Sequence, residues 1–315
     1  MLFSPAPMHI PDGFLSIPVA VVLWILSIAV IAIAFRRVSA DLGEREVPVM
    51  GVLAAAIFAG QMLNFSVTGG TSGHLLGAAL ATILLGPWAS ILVLTCVVGI
   101  QALIFQDGGL VVLGANIFNM AIVGSFVAYA VVRLFQRLSG GRRWGTIGGS
   151  FAAGWASIFI AALACALELA LSGTSPANIA VPAMGGIHAL IGIGEGLITL
   201  GAITLVLAAR PDLLKSGQEQ ARATVWVWVI GGLITLTLAV LSPLASSHPD
   251  GLEWVAEQAG FLEKAREPGI SIIPDYTFPG VSNEVAATIL AGIVGSILVL
   301  GVALLVAHFR QRKST

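Results

Sequence analysis

The residues with the clearest chemistry stand near the start of the chain, in Met8-His9-Ile10-Pro11-Asp12-Gly13, just ahead of the first long apolar run. If Met8 carries a free amine, that amine, the His9 backbone nitrogen and the His9 ring can close two fused chelate rings on one metal ion. The three nitrogens lie in a plane, and a fourth donor completes a square. Such a set suits Ni(II) and Cu(II), with Co(II) acceptable, rather than Mg²⁺ or Ca²⁺, which take oxygen. The chain as given starts at Met1-Leu2-Phe3-Ser4-Pro5-Ala6-Pro7, and with that extension the Met8 nitrogen is an amide. Residues 1–7 lack the basic region and small-residue cleavage pattern of a signal peptide.

His74 is the first candidate for the fourth nitrogen. It follows the glycine-rich, uncharged stretch 65–73 and is expected to open a membrane helix, at the depth the Met8-His9 segment reaches. A packed, hydrogen-bonded histidine is the alternative. Gly73, Gly77 and Ala81 recur every fourth position, a spacing that on a helix permits close packing. Asn116 and Asn119, in Gly114-Ala115-Asn116-Ile117-Phe118-Asn119-Met120, are expected to bond the loop backbone or hold the histidines. His188 and Glu195 lie seven apart in one span and so share a helix face. Glu195 and Glu168 are carboxylates inside apolar runs, which face an interior or a cavity. They either pair with other buried polar groups or serve a metal path. His248 reads as a turn or partner contact and His308 as a membrane-edge residue.

The elements that must position these residues are membrane helices. Of 315 residues, 57% are hydrophobic and 10% charged, against about 25% charged in a soluble domain. The net charge of −1 points to no nucleic-acid partner. Cys96 and Cys165 sit in apolar runs and read as packing residues rather than a disulfide. Apolar runs near 16–35, 47–64, 88–105, 113–132, 146–171, 185–208, 224–244 and 285–308 are long enough to cross a bilayer, and 74–86 is read as a short further helix. With the N-terminus outside and nine crossings, all of the 15 basic residues except Lys264 and Arg266 fall in inner loops; omitting 74–86 spoils that bias. The polar stretch 211–223 is taken as a cytoplasmic linker and domain boundary. Beyond it, two spans flank an acidic segment, 245–284, in which 252–266 is expected to form an amphipathic helix with Leu252, Val255, Ala259 and Leu262 on one face.

Four motifs in order carry a resemblance: 8–13, Gly69-Gly-Thr-Ser-Gly-His-Leu-Leu-Gly77, 114–120, and His188-Ala-Leu-Ile-Gly-Ile-Gly-Glu-Gly196. Together they resemble the CbiM/NikM family, the substrate-binding membrane component of energy-coupling factor (ECF) transporters for cobalt and nickel. The resemblance covers about 8–210 and implies seven membrane helices. It also implies a metal site made by the Met8 amine, the His9 backbone and ring nitrogens, and His74; Asn116, Asn119, His188 and Glu195, read from their own positions in the sequence, are expected around it. Pro249-Asp250-Gly251-Leu252-Glu253 with its flanking spans resembles the PDGLE domain, a two-helix partner related to CbiN/NikN, placed at 224–315.

The expectation is therefore an all-α, multi-pass inner-membrane bundle of seven plus two helices. It takes up Ni²⁺ or Co²⁺, nickel slightly favoured, without a resident cofactor. A membrane coupling subunit and cytoplasmic ATPases are the implied partners, since the chain has no Gly-x4-Gly-Lys-[Ser/Thr] loop. Because the family's methionine begins its chain, the extension 1–7 is best read as a mis-assigned start, with removal or an altered site as the alternatives. A stand-alone secondary transporter is the competing function. A metalloenzyme with Glu195 as base is disfavoured by the missing His-Glu-x-x-His and nucleophile motifs.

Overall fold

The computed structural model describes residues 8–41, 46–209, 222–266, 269–270 and 272–311. The extension 1–7 and nearly all of the linker 211–223 lie outside the described residues. The chain is a helical membrane bundle. Helices α1 (Ile17–Asp41), α2 (Glu46–Gln61), α3 (Ala78–Leu85) and α4 (Pro87–Ile104) come first. A continuous helical segment follows, made of α5 (Leu113–Asn116), a π-helical stretch (Ile117–Val123) and α6 (Gly124–Leu138). Helices α7 (Arg143–Leu171) and α8 (Ala177–Ala209) complete the first seven, counting that segment once. A second module holds α9 (Arg222–Leu241), the short α10 (Gly251–Gln258) and α11 (Glu284–Gln311).

Among the described residues, seven helices are long and apolar enough to cross a membrane, and Val47–Gln61 is a shorter apolar helix. The stretch 74–86 departs from expectation. Only Ala78–Leu85 is helical, about 12 Å of rise. Before it, β1 (Phe65–Val67) and β2 (Thr71–Gly73) form an antiparallel hairpin, and 74–77 is irregular. His74 thus sits ahead of the helix, not in its first turn. Gly77 ends the irregular segment with φ +80°, and a Cβ there would lie 2.8 Å from Ile57. A left-handed residue ahead of Ala78 stops the helix from extending back to His74. Gly73, Gly77 and Ala81 therefore do not form one helical stripe.

The stretch 8–13 is folded into one end of the bundle, with Met8, Ile10, Phe14 and Leu15 buried. Ile10 is held from both sides: its N–H donates to Asn116 Oδ1 and its carbonyl accepts from Asn116 Nδ2, each 3.0 Å. The Asp12 carboxylate accepts from the amides of Leu110, Val111 and Val112 ahead of α5, where an acid complements the free N–H groups of a helix start. Arg36, Arg37, Arg133, Arg137, Arg142 and Arg143 sit at the opposite ends of α1, α6 and α7.

The second module lies against the first. Gly51 of α2 approaches Leu304 of α11, and Gly295 of α11 approaches Phe58 of α2, so closely that a Cβ at either would collide. Its loop crosses the end of the bundle that holds Met8. Ser72 donates to the carbonyls of Pro249 and His248 (both 2.8 Å), and the Arg266 amide donates to the Asp12 carbonyl (2.7 Å). The expected helix 252–266 stops at Gln258, turned by Gly260 at φ +72°. Leu252 and Val255 are buried as expected, whereas Ala259 is exposed.

Candidate metal site

Met8, His9, His74, Asn116, Asn119 and His188 line one cavity of about 70 Å³, so the fold brings together six of the seven residues singled out in the sequence. That volume holds an ion with little water. The seventh, Glu195, does not line the cavity. It is fully buried and accepts from the amides of Leu76 (2.7 Å) and Gly77 (3.0 Å). Irregular backbone at membrane depth is tolerated only where its polar groups are satisfied within the protein. Glu195 does this for the segment carrying His74, just ahead of α3. Its place in a membrane helix is thereby explained.

Three nitrogens converge on one point. Asp107 Oδ1 accepts from the Met8 backbone nitrogen (2.7 Å) and the His9 backbone nitrogen (3.2 Å), and His9 Nδ1 lies 3.3 Å from the same oxygen. These are the nitrogens the fused chelate requires, already turned to a common centre. His9 Nδ1 is also 3.2 Å from the Asp107 carbonyl, while His9 Nε2 is buried without a hydrogen-bond partner. Burial holds the His9 imidazole below its ordinary pKa, against the opposing pull of the Asp107 carboxylate. The ring is therefore neutral and available as a ligand.

His74 packs against His9. Its ring meets that of His9 edge-on, with centroids 5.7 Å apart. His74 Nδ1 contacts the Leu75 carbonyl at 3.1 Å, which leaves Nε2 facing Asp250 Oδ1 at 3.9 Å. His188 Nδ1 contacts the Met184 carbonyl at 2.9 Å. Asn116 holds the Ile10 backbone, one of its two expected roles. Asn119 does not hold a histidine: Nδ2 donates to Glu168 Oε2 at 2.8 Å, from within the π-helical stretch. Cys165 lines the cavity wall, and both cysteines are free and buried.

Two carboxylates at the site went unrecognised in the sequence as site residues. Asp107, between α4 and α5, is the point of convergence, and its Oδ2 accepts from the Tyr276 hydroxyl of the second module. Its cue was a lone acid in Phe105-Gln106-Asp107-Gly108-Gly109 between two apolar runs. Gly108, at φ +93°, leaves room for His9: a Cβ there would be 2.9 Å from the His9 Cβ. Asp250 comes from the PDGLE-like motif, whose sequence said nothing of where it lands. Among the described residues no three His, Cys, Asp or Glu side chains form a metal-binding group. A planar chelate does not need one, since two of its donors are main-chain nitrogens.

Residues 9–213 match the family model CbiM, "Cobalt uptake substrate-specific transmembrane region", and 225–312 match the PDGLE domain. "Putative fused nickel transport protein NikMN" of Archaeoglobus fulgidus is 39% identical over 96% of this chain and 99% of its own. "Fused nickel transport protein NikMN" of Rhodobacter capsulatus is 31% identical over 94% of this chain and 96% of its own. A solved structure described as a truncated transition metal transporter is 37% identical, covering 64% of this chain and 99% of its own, with a TM-score of 0.57.

Proposed function

Since the chain belongs to the CbiM family of metal-uptake membrane proteins, with a PDGLE domain fused behind it, we propose that it captures Ni²⁺ for an ECF-type importer. It is a transport protein, not an enzyme. The observation that carries the reading is the convergence of the Met8 and His9 backbone nitrogens and His9 Nδ1 on one point at the bundle end. In this reading the metal takes the place of Asp107 Oδ1 among those nitrogens, and His74 supplies the fourth. Asn116 and Glu195 hold the two segments that must meet. We place this end outside the cell, because the basic ends of α1, α6 and α7 lie opposite.

Nickel is preferred to cobalt on two grounds. Four planar nitrogens suit low-spin Ni(II), and both fused relatives above carry nickel in their names. A membrane coupling subunit and cytoplasmic ATPases would supply the energy, and a stand-alone secondary carrier is the competing reading. Radionickel uptake by cells with and without those partners separates the two: uptake that persists without ATPases supports the secondary carrier. Competition between nickel and cobalt on purified protein tests the metal preference.

The amine donor requires functional protein that begins at Met8. Intact mass measured beside metal content tests this. A chain that retains Met1 and still binds a Ni²⁺ ion tightly would exclude the amine as a ligand.

A further inference from the structure

Two cavities meet at Asp250. The smaller is the histidine-lined one described above. The larger, about 500 Å³, lies between the stretch from Met8 to Phe14 and the second module, with Glu253, Arg266 and Asp275 on its walls. Met8, His9, Asp250 and Leu252 line both.

The two carboxylate oxygens of Asp250 differ. Oδ2 caps α10, accepting from the Leu252 amide at 3.5 Å. Oδ1 has no hydrogen-bond partner, although the residue is only 3% exposed. An orphaned buried acceptor is costly unless it serves another purpose. It faces His74 Nε2 across 3.9 Å. That gap is too long for a hydrogen bond and shorter than the roughly 4.5 Å spanned by two hydrogen bonds through one water. It is close to the separation of two donors on opposite sides of a first-row divalent ion, each about 2.0–2.2 Å from it. Gly251 lets the loop come this near: a Cβ there would be 2.9 Å from His188 Cε1.

We propose that Asp250 Oδ1 and His74 Nε2 form a receiving station for a divalent transition-metal cation, through which the ion passes from the larger cavity to the nitrogens at Met8 and His9. This rests on the metal-capture reading above. The carboxylate replaces water on the incoming ion and supplies negative charge where the ion sheds its hydration. The second module thus contributes a donor on the metal's route as well as a cover over the site.

The test uses protein that begins at Met8 and keeps both modules, in detergent, with Ni²⁺ as the probe. Asn and Ser cap helices about as well as Asp, so Asp250→Asn and Asp250→Ser remove the charge and keep the cap. In both, Ni²⁺ loading followed by rapid filtration should slow about tenfold or more, the scale of electrostatic focusing. Both should still reach the parent's metal content at saturation and melt at the parent's temperature. Asp250→Glu should recover part of the rate. If either variant melts early, the other two carry the measurement. Parental loading rates in the Asn and Ser variants, with binding lost in His74→Ala, would overturn the role of Asp250 and leave the site reading standing. Parental binding by His74→Ala would overturn both.

Discussion

At the scale of single residues, the site depends on orientation more than on the number of ligands. His9 is neutral and has one ring nitrogen toward Asp107 and the other unpartnered. His74 leaves Nε2 toward the cavity. His74→Ala should therefore abolish tight Ni²⁺ binding while the protein folds and inserts, and isothermal titration beside a melting curve checks both parts. Asp107→Asn should lower stability by about 1–3 kcal/mol, because an amide cannot accept from Met8, His9 and Tyr276 as a carboxylate does. In the proposed chelate, metal capture also expels protons from the amine and the His9 amide. An α-amine titrates near 7.7–8.0, and burial holds His9 below its ordinary value. The sign follows: Ni²⁺ affinity should fall as pH drops below about 8, with the amine rather than the imidazole as the main competitor. Affinity flat from pH 8 to about 6 would contradict the amine donor.

At the scale of elements, His74 is placed by a non-helical segment, and that segment is held by a carboxylate far away in sequence. Glu195 accepts from the Leu76 and Gly77 amides. In Glu195→Gln the side-chain NH₂ would face one of those amides, donor against donor. Melting should drop by roughly 1–3 kcal/mol, and Ni²⁺ affinity should weaken although no proposed ligand has changed. Unchanged affinity with lowered stability would reduce Glu195 to a packing role. The π-helical stretch acts in the same way from the other side: Asn116 sits just before it and grips Ile10, while Asn119 within it reaches Glu168.

For the whole molecule, the question is what the second module adds. It lies along α2 and α4 and crosses the site, with Tyr276 on Asp107 and Asp250 before His74. A chain cut after Leu214 should still insert and reach the parent's metal content, since Met8, His9 and His74, the proposed donors, all precede the cut. It should melt lower, because the faces that α11 covers are bared, and it should transport poorly. Absence of bound metal in the truncated chain, measured by elemental analysis, would show that the second module builds the site.

Composition and run lengths determined the membrane class, because crossing a bilayer without exposed backbone polar groups demands long apolar helices, and those are visible as runs. The adjacent Met8 and His9 were enough to suggest the chelate proposed above, since two neighbouring residues can close its rings unaided. What the sequence could not determine were contacts between distant segments. Asp107 meets Met8 across 99 positions, Glu195 meets Leu76 across 119, and Asp250 reaches His74 from a separate module. Each joins a side chain to backbone, or to a single atom, and so leaves no periodicity to read. The helix expected over 74–86 begins only at Ala78 for a related reason. Apolar residues suit a helix and a buried irregular segment equally, and the choice fell to Gly77 and to a carboxylate on α8. Only the tertiary structure decides where buried polar groups find their partners.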